Sequence, residues 1–143
     1  MHIYVDSTAC VDYFSDNSAT SFRVKLAKPL TLFGHWEAAL IAIDIPEFAS
    51  NYETSYVDIN CNICEESICN SKLQPVLCRL SKKEITRGRE IRFSRPSYVR
   101  LTSEQISVLQ VYMTDASQNK PSFLTGHCYC TLHIRPCTQK NRQ

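Results

Sequence analysis

Apolar and polar residues alternate along most of this 143-residue chain. In the segment 21–26 (SFRVKL), Phe22, Val24 and Leu26 share one phase of a period-two pattern, and Arg23 and Lys25 share the other. Alternation of this kind is typical of a half-buried β-strand, whose successive side chains point to opposite faces. Such runs recur at 2–5, 21–26, 35–46, 55–63, 74–80, 89–95, 97–101, 106–113 and 127–135.

The run 35–46 (HWEAALIAIDIP) differs because it is apolar in both phases. Trp36 and Leu40 belong to one phase, and Ile41 and Ile43 to the other. A strand that is apolar on both faces is covered on both faces, so we expect a central strand with Trp36 as a core anchor. Glu37 lies in the opposite phase to Trp36, so its side chain is expected to face solvent, a loop or a neighbouring molecule.

Eight or nine short strands with turn-rich connections predict an all-β fold of antiparallel strands. At this length we expect a single jelly-roll β-sandwich of eight antiparallel strands, or of nine if every short run forms a strand of its own. One domain is expected over 1–143, ending in a short polar, basic tail at about 137–143. The only helix candidate is 102–107 (TSEQIS), and 64–72 (CEESICNSK) is predicted to be a polar loop.

Eight cysteines raise the question of metal or disulfide chemistry. Cys61, Cys64, Cys69 and Cys78 follow the spacing C-x2-C-x4-C-x8-C, of which only the first pair matches the close spacing typical of a zinc site. No histidine lies nearby to complete a second close pair. We therefore favour a strand that runs into a loop and uses cysteine as a small apolar residue, with a metal site and a disulfide within the loop as open alternatives.

Cys128 and Cys130 lie in the apolar phase of the last run, HCYCTLHIR. We expect both to be buried, reduced and free of metal. His127 and His133 share the opposite phase but lie roughly 20 Å apart along a strand, too far to bind one metal ion together.

Charge is segregated along the chain. Residues 1–78 hold 4 Lys/Arg and 10 Asp/Glu, whereas residues 79–100 hold 8 Lys/Arg and 2 Glu. The second segment is either a solvated face or a basic surface for an acidic neighbour or nucleic acid. Arg87, Arg89, Arg92 and Arg95 are the leading candidates for contact with an acidic protein surface. A nucleic-acid site here would have only Phe93 and Tyr98 as stacking rings, so nucleic acid is not the expected partner.

Enzyme motifs are absent from the sequence, including G-x-S-x-G, H-E-x-x-H and glycine-rich phosphate loops. We therefore expect no enzyme activity, no catalytic residues and no cofactor or metal. The longest apolar run, Ala38–Ile43, is too short to span a bilayer. The first residues, MHIYVDS, lack the basic and apolar regions of a secretory signal peptide.

Two blocks of sequence resemble a known family. The first is 12–48, with an F-x-V-x-L strand followed by P-L-x-L-x-G-x-W-E-x-A-L, and the second is 106–136, which closes with T-L-H-I-R-P. Together they resemble the minor capsid, or penton, proteins of Polinton (Maverick) elements and of adintovirus-like and adomavirus-like DNA viruses. The family positions in the first block are Pro29, Leu30, Gly34, Trp36, Glu37 and Leu40. They are expected to be fold determinants, with Pro29 and Gly34 bracketing the turn into the central strand.

The resemblance implies a structural, non-enzymatic jelly-roll protein that forms pentamers at the fivefold vertices of an icosahedral virion. Its implied partners are further copies of the chain, the major capsid protein and a spike or fibre. Assembly inside the host cell would keep the thiols reduced. Two other hypotheses remain: a nucleic-acid-binding β-domain that uses 79–100, and a receptor- or glycan-binding head of a spike or fibre.

Overall fold

The protein is almost entirely β-structure. A computed structural model describes residues 1–86, 90–102 and 104–138. These residues form one short helix, α1 (Lys82–Thr86), and eleven strands: β1 (His2–Asp6), β2 (Ser21–Thr31), β3 (Trp36–Asp44), β4 (Tyr56–Cys61), β5 (Ser67–Cys69), β6 (Lys72–Gln74), β7 (Val76–Ser81), β8 (Glu90–Arg92), β9 (Val99–Arg100), β10 (Gln105–Asp115) and β11 (Tyr129–Pro136).

Two antiparallel sheets form a sandwich with jelly-roll connectivity. The first sheet has the order β1-β11-β3-β8, with β9 also paired to β3, and the second has the order β2-β10-β4-β7. When β8 and β9 are counted as one interrupted strand, the pairs are nested: β1 with β11, β2 with β10, β3 with β8–β9, and β4 with β7. This nesting is that of an eight-stranded jelly roll, and the predicted fold class is confirmed.

The core fills the space between the sheets with the apolar phase of each strand. From the second sheet come Phe22, Ile59, Leu80, Leu109 and others, and from the first come Leu40, Leu132 and Ile134, each at most 2% exposed. The outward-facing residues of β3, Ala39 and Ala42, are buried as well, as expected for a central strand.

The helix predicted at 102–107 is wrong, because β10 begins at Gln105 and Ile106 pairs with Leu30. Ser103 lies outside the described residues. The one helix is α1, where the backbone N–H of Glu84 donates to Ser81 Oγ (3.3 Å) and Glu84 Oε1 accepts from the N–H of Ser81 (2.9 Å). This reciprocal capping box is written in the sequence as S-K-K-E.

The predicted polar loop 64–72 contains a hairpin. Strands β5 and β6 pair from Ser67↔Gln74 to Cys69↔Lys72, and Asn70 takes the left-handed conformation that a two-residue turn requires (φ 57°). Its outward pair, Ile68 and Leu73, is 77% and 61% exposed. The apolar positions are too few for the alternation to have been recognised.

The family positions lie at the entry to β3. Gly34 has a φ of +83°, which only glycine adopts without strain, in the turn from β2 to β3. Pro29 does not bracket that turn as expected. It lies within β2, in an irregular stretch between the pairs Lys25↔Val108 and Leu30↔Ile106, where an edge strand tolerates proline.

Trp36 is half-buried at the margin of the core, so the expectation of a fully buried anchor is wrong in degree. Its indole Nε1–H donates to the carbonyl of Phe33 (2.8 Å). The ring therefore ties the β2–β3 turn to the edge of the core rather than filling its centre.

Candidate interaction surfaces

A groove opens on the side of the sandwich where β7 and the β8–β9 strand form the ends of their sheets. Residues 93–98 interrupt that strand, and the groove lies between them, β7 and the β5–β6 hairpin. Its volume is about 550 Å³. The walls are formed by Leu40, Ser67, Ile68, Cys69, Val76, Leu77, Cys78, Arg79, Phe93, Arg95, Ser97 and Val99.

Most of the described residues that line the groove are apolar, two are serines, two are cationic and none is acidic. Phe93 and Val99 pack against the core cluster, whereas Arg79 and Arg95 carry the charges in this part of the wall. Arg95 is exposed and makes no ion pair or hydrogen bond within the described residues. The groove thus suits a segment that combines an apolar side chain with a carboxylate.

Arg79 is held by a buried carboxylate. Its Nε and Nη2 donate to Asp58 Oδ1 and Oδ2 at 2.7 and 3.0 Å, and its guanidinium lies 3.8 Å from the centre of the Tyr56 ring. Asp58 is 0% exposed, on the outward face of β4. The hydrogen bonds to Asp58 raise the pKa of Arg79 above its usual range. The ion pair holds the Arg79 side chain in place at the wall of the groove. The carboxylate of Asp58 neutralises most of its charge.

Other cations of the basic segment are also paired within the molecule. Lys82 Nζ lies 2.9 Å from Glu53 Oε1, and Arg92 Nε lies 2.8 Å from Glu90 Oε1. Arg87 and Arg89, two of the four arginines proposed for an acidic neighbour, lie outside the described residues. Of the four, Arg95 lies exposed on a concave surface and has no ion pair with any described residue.

The cysteine run divides between two environments. Cys61 and Cys64 lie in the core, and Cys69 and Cys78 line the groove. A hydrogen bond that the Cys64 thiol donates to Cys61, together with burial, raises the pKa of Cys64. Burial, with the charges of Glu84 and Asp58, raises the pKa of Cys78 to about 12. All four are free thiols, and no three potential ligand side chains converge on a metal position within residues 1–86, 90–102 and 104–138.

Cys128 and Cys130 are buried free thiols, as the alternation predicts for their burial. Their Sγ atoms are 3.7 Å apart. The hydrogen bond with Cys128 and, to a smaller extent, burial raise the pKa of Cys130 well above its usual range. A protonated, buried thiol is a poor nucleophile, so these residues serve as core side chains.

The outward face of the first sheet carries a chain of polar and aromatic contacts. Glu37, only 6% exposed, accepts a hydrogen bond from Arg135 Nε (2.7 Å), and the Arg135 guanidinium stacks 3.4 Å from the centre of the Tyr98 ring. The Tyr98 hydroxyl lies 2.8 Å from Nδ1 of His133, whose ring is 4.7 Å from that of His2. Glu37 is therefore outward but covered, and His127 is not part of this network.

A second exposed feature lies at the other edge of the sandwich, on the connection from β1 to β2. Val11 and Tyr13 are 44% and 70% exposed, and Asp12 between them is exposed and without an ion pair or hydrogen bond in the described chain. We name Val11–Tyr13 the β1–β2 finger. The finger lies in a turn before β2. In this turn the N–H groups of Tyr13 and Phe14 donate to the Cys10 carbonyl (3.1 and 2.9 Å).

Neither the groove nor the finger was found from sequence. The groove needs the β5–β6 hairpin and the gap between β8 and β9, which come from distant parts of the chain. The finger has a local signal, V-D-Y among polar residues, but nothing in the pattern shows that its valine and tyrosine side chains stay exposed.

Comparison of the chain with protein-family models, curated proteins and solved structures finds no match. Within the described residues, no helix is long and apolar enough to cross a membrane. The class of the protein therefore rests on its fold, an all-β jelly roll, and on the surfaces described above.

Proposed function

We propose that this protein is a structural capsid subunit of the penton class, which forms a homopentamer at the vertices of a DNA-virus capsid. The observation that carries the proposal is the placement of the two blocks that resemble penton proteins. They are separated by more than fifty residues, yet β2 of the first pairs with β10 of the second, and β3 of the first pairs with β11 of the second. The resemblance thus covers a contiguous half of both sheets.

The chemistry of the described surface supports a structural role. Hydrogen bonds and burial raise the pKa of Cys64, Cys78 and Cys130, so these three thiols are not activated nucleophiles. A hydrogen bond with Cys64 lowers the pKa of Cys61, but that side chain is fully buried in the core. The ion pair between the half-exposed Arg135 and the buried Glu37 on an outward face suits a rigid scaffold that presents fixed surfaces to neighbours. The major capsid protein and a spike or fibre remain the proposed further partners, and the virion the proposed location.

The oligomeric state tests the proposal. Purified full-length protein should give a pentamer by native mass spectrometry and fivefold classes by electron microscopy, alone or after co-expression with the major capsid protein. A protein that stays monomeric in both conditions is not a penton subunit.

A receptor-binding spike or fibre head is the second candidate, and one observation favours it. Tyr4 and Tyr129 are 75% and 46% exposed on the outward face of the first sheet. Exposed aromatic rings of this kind are common in recognition surfaces. Trimers, rather than pentamers, in the same experiment would select this candidate. The pairing of Arg79, Lys82 and Arg92 within the molecule argues against a nucleic-acid surface on 79–100.

A further inference from the structure

The groove and the β1–β2 finger lie on opposite lateral sides of the sandwich. In the first sheet β1 is at one end and β8–β9 at the other, and in the second sheet β2 is at one end and β7 at the other. Leu40 of β3 lines the groove together with β7, which places β7 on the β8–β9 side. The connection that carries Val11–Tyr13 joins the two opposite ends, β1 and β2.

The two features are complementary in chemistry. The groove offers apolar wall residues, including Phe93 and Val99, and the cation of Arg95, which has no ion pair among the described residues. The finger offers two exposed apolar side chains that flank the carboxylate of Asp12, which likewise has no ion pair in the described part of the chain. A volume of about 550 Å³ falls within the range of small-ligand pockets, roughly 300–1,000 Å³, and accommodates side chains of such a segment.

The finger is also held in place before any contact forms. Asn17 exchanges two hydrogen bonds with the backbone of Arg23, each 2.9 Å long, and Arg23 lies 4.8 Å from the centre of the Phe14 ring. Lys25 Nζ lies 5.1 Å from the centre of the Tyr13 ring. A segment that is already ordered loses less conformational entropy on binding than a flexible one.

From these observations we infer that the β1–β2 finger of one copy of this chain docks into the groove of a second copy, with Asp12 beside Arg95. Such a contact joins two different surfaces of identical subunits, and a contact of this type closes into a ring when its rotation permits. The inference rests on the proposed function for the ring and goes beyond it by naming the two surfaces. Among the described arginines of 79–100, Arg95 alone supplies the positive charge in this contact, rather than the whole segment.

Charge reversal and its rescue test the contact. Asp12→Arg and Arg95→Asp each place like charges together, which should weaken self-association about tenfold or more in sedimentation velocity at several concentrations. The double variant Asp12→Arg/Arg95→Asp restores an opposite-charge pair and should recover most of the loss. Glu104→Arg and Lys120→Asp, both at exposed positions outside the two surfaces, are matched controls that should associate like the wild-type protein.

A second variant tests the apolar part of the contact. Tyr13→Ser should weaken association without rescue by a change at Arg95, because it removes buried ring area rather than charge. All the substituted side chains are exposed, so thermal melts should match the wild-type protein and exclude unfolding as the cause.

The outcomes separate the two ideas. Wild-type pentamers that are unaffected by the charge reversals overturn the inference and leave the penton proposal standing. Dimers, trimers or open chains that respond to the reversals and to the rescue support the inference and overturn the penton proposal. A wild-type protein that does not self-associate at any concentration overturns the contact between copies.

Discussion

The pair between Arg79 and Asp58 should stabilise the protein far more than an exposed pair does. Asp58 is completely buried on the outward side of β4, and both of its carboxylate oxygens accept hydrogen bonds from Arg79. Replacing Arg79 with Ala leaves this carboxylate in place without a counter-charge. Breaking a buried pair in this way costs about 3–5 kcal/mol.

Two features of the site refine that magnitude. The Arg79 side chain is 48% exposed, so water can enter the space that it vacates and the cost should lie near the lower limit. The stacking of the guanidinium on Tyr56 is lost too, which adds about 0.5–1 kcal/mol. The free energy of unfolding of Arg79→Ala should therefore fall by about 3–4 kcal/mol at neutral pH.

Urea denaturation measures the effect, and Arg92→Ala is the matched control. Arg92 pairs with Glu90, but the two side chains are 75% and 59% exposed, so its loss should cost less than about 1 kcal/mol. Arg79→Lys should fall between wild type and Arg79→Ala, because lysine keeps the charge but not the two-pronged hydrogen bonding. If Arg79→Ala and Arg92→Ala lose the same small amount, the carboxylate of Asp58 is not a buried charge in solution and the reasoning is refuted.

Three further predictions concern other parts of the fold. Cys128 and Cys130 should resist alkylation of the native protein while the half-buried Cys10 reacts, as mass spectrometry of labelled peptides would show; rapid labelling of the buried pair would contradict their place in the core. Trp36→Ala should cost about 2 kcal/mol in urea melts, less than the roughly 3–5 kcal/mol of a fully buried ring, and no measurable cost would mean that the indole packs against nothing. Burial, the terminal ammonium group and the charge of His2 lower the pKa of His133. Because the folded protein then binds fewer protons, stability should be full above about pH 6.5 and fall below it. In His133→Gln the loss of stability in acid should be smaller. Identical pH profiles of stability for the variant and the wild-type protein would contradict a role for His133.

The alternation of the chain predicted much of the fold because the period-two pattern is a local property. Each of the longer runs, such as 21–26 and 106–113, forms a strand in the structure, and the run that is apolar in both phases, 35–46, contains the central strand β3. Strand number and chain length then favoured the jelly roll. Short elements escaped prediction: β5 and β6 have only three residues each, and α1 has five, so no period can be read from them.

The surfaces could be predicted only in part. The sequence marked 79–100 as basic, but it could not show that Arg79 meets Asp58, which lies twenty-one residues earlier on the neighbouring strand. In the same way, the spacing of Cys61, Cys64, Cys69 and Cys78 suggested one chemical unit, whereas the fold assigns the first two to the core and the last two to the wall of a groove.

The sequence by itself therefore determined which residues form strands and which face of each strand is apolar, because both follow from neighbours one or two positions away. Only the tertiary structure decided which charges are neutralised and where the groove opens. It also decided that Val11–Tyr13 and the groove lie on opposite sides of the molecule. Those properties depend on which strands pair and on where a strand is interrupted, and the free energy that selects the pairing comes from burying the faces of many strands at once.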